Sequence, residues 1–211
     1  MSCPMCERKG ETGMSSVSGE ELRNVIRIAL TGNPNCGKTT AFNEYTGAHQ
    51  HVGNYPGVTV EKKEGWTSCH GRRVLLMDLP GTYSLTPYSM EERVVRDVLA
   101  PEDQAERPRA VINVIDSSTL ERGLFLAVQI RELGQPVVLA CNMMDEARKA
   151  GISIDLEKLS ARFGVKAVST VARKGEGLDR AMELALEEAE KGQKPFSISY
   201  GPDIDPALLT M

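Results

Sequence analysis

Apolar residues along the chain gather in short runs, with amphipathic stretches between them. Val25-Ile26-Arg27-Ile28-Ala29-Leu30, Val74-Leu75-Leu76-Met77, Val137-Val138-Leu139-Ala140-Cys141 and the segment 165–170 read as strands. Runs of this length without strict alternation suit a parallel sheet covered on both faces. The stretches between them place apolar residues at helical spacing and predict helices at 38–45, 91–99, 120–133, 156–163 and 177–190. Residues 66–77 predict a hairpin that turns at His70-Gly71. From about Leu22 onward strand and helix alternate, which gives an α/β fold with a mostly parallel sheet and helices on both faces. Six strands are expected.

The first strand runs into Gly32-Asn33-Pro34-Asn35-Cys36-Gly37-Lys38-Thr39, and a helix is predicted to follow. This is a Gly-x-x-x-x-Gly-Lys-Thr phosphate loop between strand and helix, the context it requires. Phosphate oxygens need many donors in a small concave space. Glycines let backbone N–H groups turn inward, and the helix N-terminus adds a positive dipole end. Asn33, Pro34, Asn35, Cys36, Gly37, Lys38, Thr39 and Thr40 form the expected cradle. Lys38 is expected to reach the β- and γ-phosphates, and the Thr39 hydroxyl to bind Mg²⁺. A glycine turn that merely precedes a lysine matches these positions by chance in on the order of one chain in a hundred. The strand before it lowers that further.

Three later segments narrow the chemistry. The strand 137–141 ends in Asn142-Met143-Met144-Asp145. A carboxylate in the plane of a purine can accept from both N1–H and the exocyclic amine of guanine, a donor pair adenine lacks. Asp145 therefore selects guanine, and Asn142 braces the neighbouring loops. Alone, Asn-x-x-Asp is more often a helix cap or turn; at a strand end after a phosphate loop it is a base-recognition signal. Asp78 ends another strand, where it can hold a water on Mg²⁺, and Gly81 can donate its N–H to the γ-phosphate. A turn around Pro80-Gly81 would not need that aspartate. Thr59 lies in a glycine-rich segment, Gly53-Asn54-Tyr55-Pro56-Gly57-Val58-Thr59-Val60, and is either a mobile Mg²⁺ ligand or a strand threonine; motif order favours the ligand. After the last strand, Val171-Ala172-Arg173 resembles the Ser-Ala-Lys segment of many GTPases, which implies the Ala172 N–H on the guanine carbonyl, with Ser169-Thr170 as the alternative register.

Length and composition set bounds. The 211 residues suffice for one domain with a real core and an appendage. A net charge of −4 argues against a basic nucleic-acid module. No segment approaches the roughly 20 apolar residues of a membrane span. The five cysteines are an odd number, and Cys36 and Cys141 sit in the nucleotide motifs, which points to a reducing compartment. Cys3-Pro4-Met5-Cys6 is half a metal site whose other half is not evident, and an unliganded end is the preferred reading. We divide the chain into a flexible tail at 1–21, a nucleotide-binding domain at 22–191, and the start of a helical extension at 192–211.

The run His51-Val52-Gly53-Asn54-Tyr55-Pro56-Gly57-Val58-Thr59-Val60-Glu61-Lys62-Lys63-Glu64-Gly65 resembles the first switch of ferrous iron transport protein B, FeoB. So do Asp78-Leu79-Pro80-Gly81-Thr82-Tyr83-Ser84-Leu85, Asn142-Met143-Met144-Asp145-Glu146-Ala147 and Arg173-Lys174-Gly175-Glu176-Gly177. The resemblance covers about 24–186. It implies a Ras-like phosphate-loop GTPase fold and a GTP-hydrolysing domain on the cytoplasmic face of a bacterial inner membrane. In the family that domain precedes a helical segment and the membrane-spanning Fe²⁺ transporter. An oligomer is left open. The family commonly has serine where this chain has Cys36, a departure that leaves the backbone cradle intact and makes thiol modification of the loop conceivable. A Ras-like enzyme places a water-orienting glutamine after Asp-x-x-Gly; here Thr82 stands there, so hydrolysis is expected to be slow. The resemblance further implies that Asn35 helps hold K⁺ against the phosphates, in place of an arginine finger. Competing readings are a soluble Era-like GTPase in ribosome or tRNA maturation, and a nucleotide-switched binding module.

Overall fold

The computed structural model describes residues 25–47 and 49–192. The tail carrying Cys3 and Cys6, and the extension expected after Gly192, lie outside the described residues. In chain order the elements are β1 (Ile26–Gly32), α1 (Lys38–Thr46), β2 (Gln50–Asn54), β3 (Glu61–Cys69), β4 (Arg72–Asp78), α2 (Met90–Leu99), β5 (Ala110–Asp116), α3 (Leu120–Glu132), β6 (Val137–Asn142), α4 (Met144–Lys149), α5 (Leu156–Phe163), β7 (Lys166–Ser169) and α6 (Leu178–Lys191).

The sheet has seven strands in the order β2-β3-β4-β1-β5-β6-β7. The pairings β4-β1-β5-β6-β7 are parallel, and β2-β3 and β3-β4 are antiparallel. The count exceeds the expected six because of β2. All five of its residues are exposed and it pairs only with β3, at the sheet edge. An edge strand that buries no face leaves no alternating pattern to read.

The long antiparallel pair does follow the sequence. It turns at His70 (φ 50°) and Gly71 (φ 72°), the two positive values a tight two-residue hairpin turn requires. β5 is the other strand the pattern does not name. Asn113 interrupts its apolar run, yet is fully buried and donates to the Gly123 carbonyl of α3 at 3.4 Å.

Both faces of the sheet are covered. Ile28, Leu30, Leu76, Ile112 and Val138 pack with Phe42 of α1 and with Ala181, Met182 and Ala185 of α6. Ala29, Met77, Val111, Ile115 and Leu139 pack with Val95 and Leu99 of α2 and Leu126 and Ile130 of α3. Strand residues therefore alternate between two apolar layers, which explains the continuous apolar runs. Leu30 lies opposite Asp78 and Gly32 opposite Val114, so the carboxyl ends of β1, β4 and β5 open on one edge. Ligands of open α/β sheets bind at that edge. No helix of the described residues is long and apolar enough to cross a membrane.

Candidate functional site

Residues 32–38 wrap from the end of β1 into α1. Asn35 (φ 65°) and Gly37 (φ 88°) are left-handed. A Cβ on Gly37 would stand 2.3 Å from Asn142 Nδ2, so this glycine is needed for close approach as well as for its angle. α1 has no acidic residue in its first turn, and Thr39 and Thr40 are exposed there. Its positive end therefore carries no carboxylate of its own.

Lys38 Nζ sits 2.5 Å from Asp78 Oδ1, with the two side chains only 10% and 5% exposed. Burial pushes the Asp78 carboxyl up from its ordinary value, and Lys38 pulls it back. The structure thus brings together the expected phosphate cation and the expected metal-site carboxylate. Thr39 presents an exposed side chain from α1 and Thr59 one from the loop before β3.

The segment after β4 lies against the phosphate loop. Leu79 N–H donates to Leu30 O at 2.9 Å and Thr82 N–H to Gly32 O at 3.2 Å. A Cβ on Gly81 would stand 3.2 Å from the Pro34 Cα. Thr82 is buried and its hydroxyl donates to Ser84 O at 2.7 Å. The side chain at the glutamine position is thus committed inward.

Glu92 holds the far end of this segment. It accepts from Ser84 Oγ at 3.1 Å, Tyr88 N at 3.2 Å and Ser89 N at 2.9 Å, the last within a capping box that opens α2. The Ser-x-x-Glu spacing was a readable signal for it.

The segment before β3 is closed on itself. Tyr55 N–H donates to Val60 O at 3.0 Å and Val58 N–H to Tyr55 O at 3.3 Å. The Tyr55 ring is buried with Met77 and Leu79, and burial raises its hydroxyl pKa, with Glu64 and Asp78 adding to the effect. Periodicity could not have shown this anchor, because one aromatic in a polar loop has no period.

Three loops meet at Asn142. Its Nδ2 donates to Cys36 O at 2.9 Å, and its Oδ1 accepts from Ala172 N–H at 2.8 Å and the Thr170 hydroxyl at 3.3 Å. Met143 (φ 57°) then turns the chain into α4, which carries Asp145. Asp145 Oδ2 accepts from Arg173 Nη2. That bond is the main cause holding the carboxyl below the usual carboxylate range. Asp145 Oδ1 is buried without a hydrogen-bond partner. α4 was missed by the pattern because six residues show too little periodicity.

Cys36 corrects the expectation of a modifiable loop thiol. It is 1% exposed, packs in the core layer with Phe42, and burial pushes its pKa up to about 11. A buried thiol of that pKa behaves as a small apolar residue.

Among the described residues no three or more His, Cys, Asp or Glu gather as a metal cage. Hydroxyls at 39 and 59 with the Asp78 carboxylate are a hard-oxygen set, which fits a Mg²⁺ ion that shares its shell with phosphates.

Fold and loops together define a Ras-like phosphate-loop GTPase fold. The family model for Ferrous iron transport protein B matches residues 26–185. The chain belongs to that family. It is 49% identical over 188 residues to an Fe(2+) transport protein A/Fe(2+) transporter FeoB fusion protein of Porphyromonas gingivalis, covering 88% of this chain and 22% of that protein. It is 43% identical over 175 residues to the Fe(2+) transporter FeoB of Shigella flexneri, covering 83% and 22%. The chain thus spans about a fifth of the length of these relatives. The cytosolic domain of the T. maritima FeoB iron transporter in its GMPPNP form is similar at a TM-score of 0.82 and 40% identity, covering 88% of this chain and 72% of that one. Its GDP form II matches at 0.82 and 39% over the same shares.

Proposed function

We propose that this chain binds GTP and GDP and hydrolyses GTP to GDP and phosphate. In this reading it is the nucleotide-operated part of a bacterial Fe²⁺ uptake transporter, on the cytoplasmic face of the membrane and joined to a membrane-spanning part. Two observations outside the chain support it: the relatives are Fe²⁺ transporters, and similar cytosolic domains exist in GDP and GMPPNP forms. Within the chain the reading is carried by the Asn142 amide. It ties the phosphate loop to the two loops expected at the base, so that one nucleotide can touch all three.

On this reading Lys38 would leave Asp78 for the β- and γ-phosphates, and the freed carboxylate would help hold Mg²⁺ through a water. Thr39 and Thr59 hydroxyls, with Asp78 one water away, would hold Mg²⁺, which neutralises charge spread across the phosphates. The Gly81 N–H would meet the γ-phosphate. The Asn35 side-chain oxygen would hold K⁺, which supplies positive charge near the β–γ bridge oxygen. Asp145 would take N1–H and the exocyclic amine of guanine, and the Ala172 N–H, which donates to Asn142 Oδ1, would be shared with the guanine carbonyl. The Thr82 hydroxyl is committed to Ser84 O, so the side chain at the glutamine position does not orient the attacking water, which supports slow turnover.

Single-turnover conversion of GTP to GDP, against Lys38→Ala as background, tests the assignment. GDP binding with no conversion above that background would favour a nucleotide-switched binding module instead.

A further inference from the structure

Arg173 stands at the base loop with contacts that nucleotide binding does not explain. Its guanidinium crosses from the turn after β7 to α4, placing Nη2 on Asp145 Oδ2. Nη1 lies 3.4 Å from Glu146 Oε1. The second Asp145 oxygen, Oδ1, is buried and has no hydrogen-bond partner. A guanine base needs both oxygens, one for N1–H and one for the exocyclic amine. One acceptor is without a partner, and the other is engaged by a full positive charge.

We propose that Arg173 competes with the guanine base for Asp145, with Glu146 as its alternative partner, and so sets the nucleotide affinity of the site. This rests on the guanine reading of Asp145. A charge-assisted hydrogen bond to a carboxylate outweighs one from a neutral ring N–H, so the base must displace or share Arg173. The displacement is feasible because Arg173 is 54% exposed and Glu146 51% exposed, so water takes part in the exchange. The guanidinium fork can pass to Glu146 without losing a carboxylate partner.

A plain surface tie between loop and helix predicts the opposite sign. If Arg173 only fastens the Ala172 loop to α4, its removal loosens the base site and weakens binding. If it competes, its removal strengthens binding. Glu146 separates the two again, since loss of the alternative partner leaves Arg173 on Asp145 and deepens the competition.

The test is fluorescence titration of the 211-residue chain with N-methylanthraniloyl-GDP, for wild type, Arg173→Ala, Glu146→Gln and the double variant. Arg173→Ala should lower Kd about two- to five-fold, the range a water-exposed ion pair supports. Glu146→Gln should raise it, and the double variant should match Arg173→Ala. Equal or weaker binding by Arg173→Ala overturns the competition, as does a Glu146→Gln effect that is absent or that survives in the double variant. Competition by unlabelled ATP and GDP on the wild type keeps the outcomes distinct. No preference for GDP sinks the guanine reading itself, whereas a clear preference with an unimproved Arg173→Ala sinks only the competition.

Discussion

Lys38 and Asp78 form an ion pair of 2.5 Å in which neither side chain is more than 10% exposed. Removing one partner of a buried pair leaves an uncompensated charge, at a cost of about 3–5 kcal/mol. Burial already raises the Asp78 carboxyl. A carboxyl whose folded pKa is raised contributes its stability in full below the ordinary carboxylate value and loses it as pH rises through the folded value. Lys38→Met should therefore be less stable than wild type at neutral pH, and the gap should narrow as pH falls toward the carboxylate range. Urea unfolding at neutral and mildly acidic pH measures this. A gap independent of pH would mean that Lys38 does not neutralise Asp78.

Base selection is expected to rest on Asp145. Asp145→Asn should shift preference from guanosine to xanthosine nucleotides, whose 2-carbonyl complements an amide donor. Competition binding with GDP, XDP and ADP checks it, and equal wild-type affinity for ADP and GDP would remove the assignment.

Thr59 sits exposed in the loop that Tyr55 and Val60 close. As a ligand that engages only with the γ-phosphate present, it should matter for turnover and not for the product complex. Thr59→Ala is expected to lower the hydrolysis rate far more than GDP affinity. A parallel fall in both would make Thr59 a structural residue of the loop.

Catalysis should depend on the monovalent cation. Removing one preorganised electrostatic contact in a transition state costs roughly 10²–10³ in rate. GTP hydrolysis should be faster in K⁺ than in Na⁺ at equal ionic strength, and Asn35→Ala should erase the difference. Equal rates in the two salts would direct attention to a residue supplied from outside the chain.

The parts of the site legible in the sequence are those where one contiguous segment carries both fold and chemistry. The residues 32–39 announce a strand end, a tight loop and a helix start together, and the structure places all three there. Contacts between distant segments were not legible. The motif announces Asn142 as a brace between loops but not that its partner is the Cys36 carbonyl, 106 positions away, and nothing local indicates that Arg173 would reach Asp145. Asn113 shows the converse, a polar residue that reads as a strand breaker yet lies fully buried in a central strand. The role of Cys36 stays open in the sequence for a similar reason: its residue type permits reactivity, and only its packing reveals that the thiol is shielded.

The Asn142 amide has a consequence for how affinity is distributed. Its donor is spent on the loop expected at the phosphates and its acceptor on the loop expected at the base. Whatever stiffens the phosphate cradle also fixes the plane of that amide, and hence the loop facing the base. Coupling of this kind is reciprocal. A bare pyrophosphate and a bare nucleoside, each too weak to hold the site alone, would therefore sense one another through a single side chain without ever touching.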